Sequence, residues 1–367
     1  MSPVSSIRDR AYAEAKRLCY MGLDEETLLR ETLEVAQRVV PFEMSCIHAN
    51  DPASGLITKA VHSDPEHQKI ARIALERVYF EDEVTPFDWM AKRGLLAVSL
   101  SAATGGRRGS ALRYRELMVP FGLEYELRSV FVLHGELWGS MTAMRERNSP
   151  DFDERDVAFF KRIAPHVATG LKMSMLRSES RANPNNTASS PGVLALDQSG
   201  RITQYTPAAK AWLEDLCDLR PDWQEGAGLP AAITSAIGAL EHSLGMPVDR
   251  DQGVTPGVLV RGKSGSWLKV YAAQTESGCD VTRETMVVIH PAGTGDIGWL
   301  RTSAYGLTAR EREVVELVAR GSSTRQISDS LYISEYTVQE HLSNVFEKVG
   351  VQSRRELVKH LYLDSIL

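Results

Sequence analysis

Near the C-terminal end of the chain, a set of polar side chains has the types and spacing needed to read the edges of DNA bases. Apolar residues recur at helical spacing between Ser334 and Gly350, so one side of this helix must pack inward. The side left facing out carries Thr337, Gln339, Glu340, Ser343, Asn344 and Glu347. Glutamine and asparagine amides can pair with adenine, and a glutamate can accept a hydrogen bond from cytosine. This helix is therefore predicted to enter the major groove of DNA.

Hydroxyl groups and cations nearby suit contacts with the phosphate backbone. Ser334 and Thr337 stand at the helix start, where free amides and hydroxyls bind phosphate oxygens. Arg325 and Arg354 stand at the starts of neighbouring helices and are predicted to neutralise phosphates. Basic and acidic residues are nearly balanced from Tyr305 onward, so a single copy is expected to bind DNA weakly. Two copies are therefore expected to act together on paired half-sites.

Helix caps define the elements that must position these side chains. Capping boxes mark helix starts at Thr308-x-x-Glu311, Ser323-x-x-Gln326 and Ser353-x-x-Glu356, and Ser334 caps a further helix. Gly321 and Gly350 end two of these helices, because glycine accepts the left-handed conformation of a C-terminal cap. Only Tyr332 and Ile333 separate the second helix from the third, which is the spacing of a helix-turn-helix. A helical protein-interaction module with the same core is the alternative that these residues leave open.

The stretch from Leu307 to Val358 resembles the LuxR-type (NarL/FixJ) DNA-binding domain along its whole length. The matching positions are Leu307, Thr308, Arg310, Glu311, Val314, Leu317, Gly321, Ser323, Ile327, Leu331, Ser334, Thr337, Val338, His341, Asn344, Lys348, Gly350, Val351, Ser353 and Arg354. The resemblance implies a four-helix domain that binds DNA as a dimer, often with the last helix at the dimer contact. His341 and Asn344 match the H-x-x-N of the family's third helix.

The chain departs from the family pattern directly after Thr337 and Val338. The family usually has Lys or Arg at the next position, whereas Gln339 and the acidic Glu340 follow here, so a cationic contact is missing. The predicted DNA-binding residues are Arg325, Ser334, Thr337, Val338, Gln339, Glu340, His341, Ser343, Asn344 and Arg354.

Composition sets the broad class of the protein. The chain has 367 residues, 43% of them hydrophobic and 25% charged, which is typical of a soluble protein with two or three domains. A net charge of -6 argues against a broad electrostatic grip on DNA. The four cysteines show no zinc or redox spacing, and no signal peptide or uncharged apolar run of about 18 residues is present. We expect a cytoplasmic protein with no metal site and no membrane contact.

Two breaks in composition divide the chain, a polar stretch at Ser178–Pro191 and a weaker one at Pro291–Asp296. We predict a sensor domain over 1–178, a linker over 179–191, a second domain over 192–292, a linker over 293–304 and a helical domain over 305–367. The predicted fold class is multidomain: two α+β domains with antiparallel sheets, followed by an all-α four-helix helix-turn-helix domain.

The first predicted domain is similar to GAF sensor domains in its order of elements. Asp24 caps an early helix, His134-Gly135-Glu136 joins the strands of a long hairpin, and a long helix follows Asp153. The second predicted domain is similar to PAS domains over Gly192–Leu213, where strand, turn and strand lead into a helix, although Thr206 replaces a common Asn. Both resemblances imply small-molecule-binding or dimerising modules of signalling proteins.

Aromatic side chains in the first domain are candidates for lining a ligand site, with plain core packing as the alternative. They are Phe87, Trp89, Tyr114, Phe121, Tyr125 and Phe131. Asp88 and either Arg113 or Arg128 are candidates to hold a polar group of the ligand. No cofactor is predicted, because a flavin-attaching cysteine motif is absent and His242 stands alone.

The leading hypothesis is a one-component transcription regulator in which a sensed small molecule changes the placement of two DNA-binding heads. The expected partners are double-stranded operator DNA, a small-molecule effector and a second copy of the chain, with RNA polymerase as a further candidate. A quorum-sensing-type receptor for a diffusible signal and a helix-turn-helix adaptor without DNA binding are the alternatives. A receiver-type acid cluster is missing, which disfavours a phosphorylated response regulator. No catalytic motif is present, so no enzymatic activity is predicted.

Overall fold

In a computed structural model, the chain forms two compact units, Met1–Pro291 (unit 1) and Ala292–Leu367 (unit 2). The structure describes residues 7–63, 84–178, 190–216, 218–219, 223, 228–245, 257–275 and 284–363. Within these residues, unit 1 contains two antiparallel sheets and unit 2 is helical, which confirms the predicted fold class. The predicted linker over 179–191 lies almost wholly outside the described residues, and the boundaries of the predicted domains stay predictions.

The first module of unit 1 (residues 7–178) is built on one antiparallel sheet. Its elements are α1 (Ile7–Tyr20), α2 (Glu25–Gln37), β1 (Met44–Asn50), β2 (Ile57–His62), α3 (Phe87–Lys92), β3 (Ala97–Ser99), α4 (Leu100–Thr104), β4 (Leu123–Leu133), β5 (Glu136–Glu146) and α5 (Glu154–Ser178). The strand order is β2-β1-β5-β4-β3, and every neighbouring pair is antiparallel. Helix α5 packs across β4 and β5, so the sheet is covered on that face.

The predicted hairpin, the early helix capped by Asp24 and the long helix after Asp153 are confirmed. His134 and Gly135 have φ angles of 55° and 84°, which is the left-handed backbone required by a two-residue turn between β4 and β5. Asp24 accepts a hydrogen bond from the Thr27 amide and caps α2. The long helix predicted after Asp153 is α5.

Gly139 determines how closely α5 approaches the sheet. A Cβ atom built on Gly139 would lie 2.6 Å from Leu171 Cδ1 of α5 and 2.8 Å from Phe131 Cδ2 of β4. Gly139 and Phe131 are paired across the two strands, so both face α5. Because side chains alternate along a strand, Ser140 faces the other side of the sheet. That second face carries the polar residues described below.

The second module of unit 1 (residues 190–291) repeats this sheet order. Its elements are β6 (Gly192–Leu196), β7 (Ile202–Tyr205), α6 (Pro207–Asp215), α7 (Ala231–Gly245), β8 (Val258–Arg261), β9 (Trp267–Gln274) and β10 (Thr285–Pro291). The order β7-β6-β10-β9-β8 corresponds strand for strand to that of the first sheet. Thr206 caps α6 by accepting a hydrogen bond from the Ala209 amide.

The turn between β1 and β2 joins the two modules of unit 1. Leu56 is 5% exposed and belongs to the hydrophobic core of the second module. The Ile57 amide donates to Ser235 Oγ at 3.1 Å, and the Leu259 amide donates to Asp51 Oδ2 at 3.3 Å. The turn therefore contributes both an apolar side chain and a carboxylate to the second module.

Unit 2 is a bundle of short helices. They are α8 (Thr294–Ala304), α9 (Ala309–Ala319), α10 (Thr324–Leu331), α11 (Glu335–Val349) and α12 (Arg354–Val358), which continues as a π-helical turn over Lys359–Leu363. Its buried core consists of Leu307, Val314, Val315, Val318, Ile327, Val338, Leu342, Val345, Val349, Leu357 and Leu361. The four helices predicted over 305–367 are thus present at the predicted places.

Within residues 293–304, which the sequence predicts as a linker, Thr294–Ala304 form helix α8. The Asp296 carboxylate accepts a hydrogen bond from the Gly293 amide at 3.1 Å and fixes the helix start. Leu300 and Ala304 are buried, and Arg301 Nη1 donates to the His360 carbonyl at 3.0 Å. The helix is therefore stabilised by contacts with the C-terminal turn, which its own Gly-rich sequence does not indicate.

Within the described part of the chain, no helix has both the length and the apolar character required to cross a bilayer. The same residues contain no group of three or more His, Cys, Asp or Glu side chains placed to hold a metal ion.

Candidate nucleic-acid interface

The caps that set the helices of unit 2 are mostly those predicted. Thr308 with Glu311 and Ser323 with Gln326 each form a reciprocal capping box. Ser334 accepts a hydrogen bond from the Thr337 amide and starts α11. These bonds satisfy amides that a helix start would otherwise leave without partners, and so they fix where each helix begins.

The third predicted box, at Ser353, is only half formed. Ser353 Oγ accepts from the Glu356 amide at 3.2 Å, as a capping serine should. The Glu356 carboxylate, however, accepts from the Gln352 amide at 2.8 Å rather than from the amide of the cap residue itself. The helix start is the predicted one, but the reciprocal bond is shifted by one residue.

The turn of the helix-turn-helix is closed by Ser328. Its hydroxyl donates to the Ile333 carbonyl at 2.5 Å, and its own carbonyl accepts from the Ile333 amide at 3.2 Å. Tyr332 ends α10 in the left-handed conformation, with φ 53° and ψ 45°. These contacts hold α10 and α11 at a short, defined turn, which positions the start of α11.

Helix α11 and its neighbours expose most of the predicted DNA-binding side chains. Exposed are Arg325, Ser334, Gln339, Glu340, Ser343 and Asn344, whereas Thr337, His341 and Arg354 are half-buried. The predicted DNA contact of Val338 is wrong, because this side chain is fully buried in the core of unit 2 and cannot reach DNA. The exposed residues of α11 recur every three or four positions, so they form one continuous face.

Two of the predicted contacts are engaged within the protein. Arg354 Nη2 donates to Thr324 Oγ1 at 2.9 Å, and Arg354 Nη1 donates to the Ser322 carbonyl at 3.1 Å. Gln339 Nε2 donates to the same Thr324 hydroxyl at 3.1 Å. Arg354 thus ties the start of α12 to the start of α10. A phosphate contact by Arg354 requires that one of these bonds be exchanged, or that a donor atom not used in them be engaged.

An ion pair between the buried Glu311 and the exposed Lys348 stabilises α11 on the side away from its exposed polar face. Both carboxylate oxygens of Glu311 accept from Lys348 Nζ, at 2.9 and 2.6 Å, and one also accepts from the Thr308 amide at 2.7 Å. Burial by itself would raise the pKa of Glu311, but the hydrogen bonds from Lys348 and Thr308 outweigh burial and lower that pKa. Glu311 therefore fixes the start of α9 and the end of α11 together.

This pair is expected to make unit 2 sensitive to acid. Since the folded-state pKa of Glu311 lies below the unfolded one, its contribution is complete above the unfolded pKa and is lost as pH falls through the folded pKa. We expect Glu311→Gln to lower the stability of unit 2 by about 1–2 kcal/mol at neutral pH and by less in acid. Hydrogen exchange of residues 309–319 and 335–349 between pH 7 and pH 4 measures this. The exposed Glu313→Gln is the control, and an equal loss at both pH values for Glu311→Gln would contradict the prediction.

Two aromatic residues at this surface are not among the residues predicted from the sequence. Tyr332 and Tyr336 are 95% and 79% exposed, at the turn and in the first turn of α11. The available signal was their spacing, because Tyr336 precedes Gln339, Glu340 and Ser343 by three, four and seven residues and so shares their helix face.

In unit 1, the structure does not bring the predicted ligand-site aromatics together. Phe87 and Phe131 are buried, but Phe131 faces α5 while Phe87 contacts His48 and Arg128 on the other face of the sheet. Trp89 and Phe121 are 39% and 44% exposed. Tyr114 and Tyr125 are half-buried, and both rings lie near the Arg108 guanidinium. A single aromatic cage formed by all of these residues is therefore excluded.

The face of the first sheet against which Phe87 packs contains a set of buried polar groups. His48 Nδ1 lies 3.1 Å from Ser140 Oγ, and the Ser140 hydroxyl donates to Asn50 Oδ1 at 3.1 Å. Burial lowers the pKa of His48 to about 3, helped by the charges of His62 and Arg128, so its ring is neutral at physiological pH. Neutral hydrogen-bonding groups in a buried place are suited to orienting a small polar molecule.

A charged cluster lies next to these groups. Glu126 accepts from Arg113 Nε at 2.6 Å and from Arg128 Nε at 3.3 Å. Arg113 and Arg128 in turn donate to the Thr85 hydroxyl and carbonyl, at 3.1 and 3.0 Å. Arg113 or Arg128 is predicted to hold a polar group of a ligand, and in the structure both arginines hold residues 84–85 against the sheet. Asp88 is exposed and pairs with Lys92 on α3.

Comparison with known proteins places similarity at the C-terminal end of the chain. Residues 306–361 match the family described as bacterial regulatory proteins, luxR family. Spore germination protein GerE of Bacillus subtilis (strain 168) is 47% identical over 55 residues, which are 15% of this chain and 74% of GerE. Transcriptional regulatory protein DegU of Brevibacillus brevis is 48% identical over 58 residues, and the match spans 16% of this chain and 25% of DegU.

Among solved structures, the GAF domain from Acinetobacter phosphoenolpyruvate-protein phosphotransferase aligns with 50% of this chain and with all of its own residues. Its sequence identity with this chain is 10% and the TM-score is 0.33.

Proposed function

The chain belongs to the LuxR family of bacterial regulatory proteins, and from this premise we propose that it is a one-component transcription regulator whose unit 1 controls DNA binding by unit 2. The observation that carries the proposal is the exposed polar face of α11, which is presented by a short helix-turn-helix and braced by the Glu311–Lys348 pair. A regulator of chromosomal genes acts in the cytoplasm, and we ascribe no catalytic activity to it.

The face of α11 favours sequence-specific contacts over electrostatic ones. Gln339 and Asn344 are exposed amides, and Glu340 is an exposed carboxylate beside them. A carboxylate in the major groove is repelled by phosphates but accepts a hydrogen bond from cytosine. We therefore expect the operator to contain cytosine and adenine at the positions that α11 reads, and the affinity to depend less steeply on salt than in proteins with many cationic contacts.

Selection of host genome fragments on the purified full-length protein tests this function. Enrichment of a short two-fold-symmetric site supports a dimeric regulator, and the neighbouring genes then indicate the class of effector. If neither the full chain nor a fragment covering 292–367 selects any site, the adaptor alternative takes the place of the regulator proposal. RNA polymerase remains a candidate partner to be tested on the selected promoter.

Removing Arg325 and Gln339 together is expected to abolish most of this binding. Both side chains are exposed, so the double substitution Arg325→Ala and Gln339→Ala should leave the fold nearly unchanged. We expect the affinity for the selected site to fall at least about 30-fold, from the loss of one phosphate contact and one base contact. Fluorescence anisotropy with labelled operator measures the fall. Arg30→Ala, an exposed change in unit 1, is the control, and an undiminished affinity of the double variant would sink the proposal.

We further infer that the first module holds the effector at the polar sheet face around His48, Ser140 and Asn50. This is favoured over the predicted aromatic cage, because these neutral groups are buried and hydrogen-bonded to one another on one face of the sheet. A quorum-sensing-type signal and an intracellular metabolite are equally compatible with such a site. Thermal-shift screening of small uncharged polar molecules against the full chain and against Ser140→Val tests it, and hits that bind both proteins equally would contradict this placement.

A further inference from the structure

The two most exposed large apolar side chains in the described part of the protein are both in unit 2. Tyr332 is 95% and Tyr336 is 79% exposed, whereas the other exposed large apolar residues of the described ranges reach at most 67%. The two tyrosines are four residues apart and span the end of the turn and the start of α11. Neither ring contributes to the buried core of unit 2, so core packing does not explain why two aromatic residues stand at this surface.

The backbone conformation of Tyr332 is also one that favours glycine over tyrosine. Its φ of 53° lies in the left-handed region, where a residue with a Cβ atom is strained and glycine is not. The backbone of this position ends α10, where its amide donates to the Ser328 carbonyl. Glycine would do this equally well, so the strained tyrosine points to a use for the exposed ring or hydroxyl.

Tyr336 extends the face of α11 toward this turn. It precedes Gln339, Glu340 and Ser343 at helical spacing, and helical side chains tilt toward the N-terminus, which brings its ring to the Tyr332 side. The same helix exposes Glu335, and it carries no exposed arginine. An aromatic phenol supplies a donor and an apolar ring without adding charge.

We propose that Tyr332 and Tyr336 contact DNA at the edge of the interface formed by α11. This proposal rests on the proposed function. The Tyr332 hydroxyl donates to a backbone phosphate beside the major groove. The Tyr336 ring packs against the methyl group of a thymine at the edge of the bases that α11 reads. DNA is favoured over a protein partner because Tyr336 is continuous with the base-reading face and Tyr332 lies in the turn that leads into the same helix.

Affinity of full-length variants for the selected operator tests the two contacts separately. Tyr332→Phe and Tyr332→Ala are both expected to weaken binding about 5- to 30-fold, because each removes the hydroxyl. Tyr336→Ala is expected to weaken binding similarly, whereas Tyr336→Phe, which keeps the ring, should bind within about 2-fold of the parent. Replacing the thymine at the responding position by uracil should reproduce the effect of Tyr336→Ala.

Tyr332→Gly separates DNA contact from structure, since it removes the side chain and the backbone strain together. We expect this variant to melt at the parent temperature or above it while binding DNA as weakly as Tyr332→Ala. Tyr20→Ala, an exposed tyrosine of unit 1, is the matched control and should bind like the parent.

Unchanged operator affinity in Tyr332→Ala or Tyr336→Ala overturns the proposal for that residue. If the affinity is unchanged while transcription from the operator in cells is lost, the surface serves a protein partner and the DNA contact is refuted. Failure of the proposed function looks different, because the parent protein itself would then select no operator.

Discussion

Replacing Glu126 by alanine is expected to destabilise unit 1 by about 3–5 kcal/mol. The carboxylate is 1% exposed and accepts from Arg113 at 2.6 Å and from Arg128 at 3.3 Å. Arg113 is equally buried, so the substitution leaves a guanidinium out of water without its carboxylate. Removing one partner of such a group costs far more than the intact pair contributes over an apolar replacement.

The effect should extend beyond the cluster itself. The two arginines hold Thr85, and Phe87 follows at the start of α3 with its ring 4.8 Å from the Arg128 guanidinium. Loss of Glu126 is therefore expected to increase hydrogen exchange in α3 as well as in β4. Any effector held by the polar face should bind more weakly in the variant.

Urea unfolding of the full chain, followed by tryptophan fluorescence, measures the change for Glu126. The matched control is Asp88→Ala, which removes an exposed carboxylate from an i,i+4 pair on α3 and should cost about 0.5 kcal/mol or less. Glu126→Gln keeps the shape and one acceptor and should fall between the two. A loss below about 1 kcal/mol for Glu126→Ala would show that the arginines do not depend on this carboxylate.

The second large effect is expected at Leu56, where a residue of the first module completes the core of the second. Leu56→Ala should lower the stability of the second module by about 2–5 kcal/mol, because the neighbouring side chains are held by the second sheet and by α6 and α7 and can close the cavity only in part. Hydrogen exchange of β6, β8 and β9 reports this loss at a distance of more than a hundred residues along the chain. Unchanged exchange there would mean that the turn does not stabilise the second module.

The same turn connects the polar face to the second module. The Asn50 amide donates to the Gly55 carbonyl at 2.8 Å, and Asn50 is itself bonded to Ser140. Asp51 follows directly and accepts a hydrogen bond from the Leu259 amide of β8.

Leu194→Ala, a buried change within the second module, is the control for Leu56→Ala. We expect both variants to be destabilised, but only Leu56→Ala to alter exchange in β1 and β2 as well.

Interactions between near neighbours in the chain explain why the helices of unit 2 could be predicted from the sequence. Thr308, Ser323 and Ser334 satisfy amides of their own helix starts, and Gly321 and Gly350 end helices in conformations that glycine favours. These interactions join residues a few positions apart, so they are encoded by short patterns. The same holds for the hairpin at His134 and Gly135 and for the cap at Asp24.

The candidate sites depended on contacts that short patterns do not contain. Val338 matches a family motif, but whether its side chain meets DNA or the core depends on how α9 and α11 pack. The aromatic residues of the first domain cluster along the chain, yet Phe131 on β4 faces α5, whereas Phe87 lies on helix α3 and packs against the opposite face of the sheet. The sequence predicts Arg354 as a cation available to phosphate, whereas in the folded unit it donates a hydrogen bond to Thr324 of α10.

The sequence by itself therefore determined the helix-turn-helix, the order of sheets and helices, and the polar character of the α11 face, because each follows from caps, turns and periodicity between near neighbours. Only the tertiary structure decided that Thr294–Ala304 form helix α8 and that Leu56 packs in the core of the second module. Only the tertiary structure likewise decided that Glu126 accepts hydrogen bonds from the two arginines that hold residues 84–85. Those features join residues distant along the chain. Their stability comes from burial and from pairing of charges away from water, which exist only once the chain is folded.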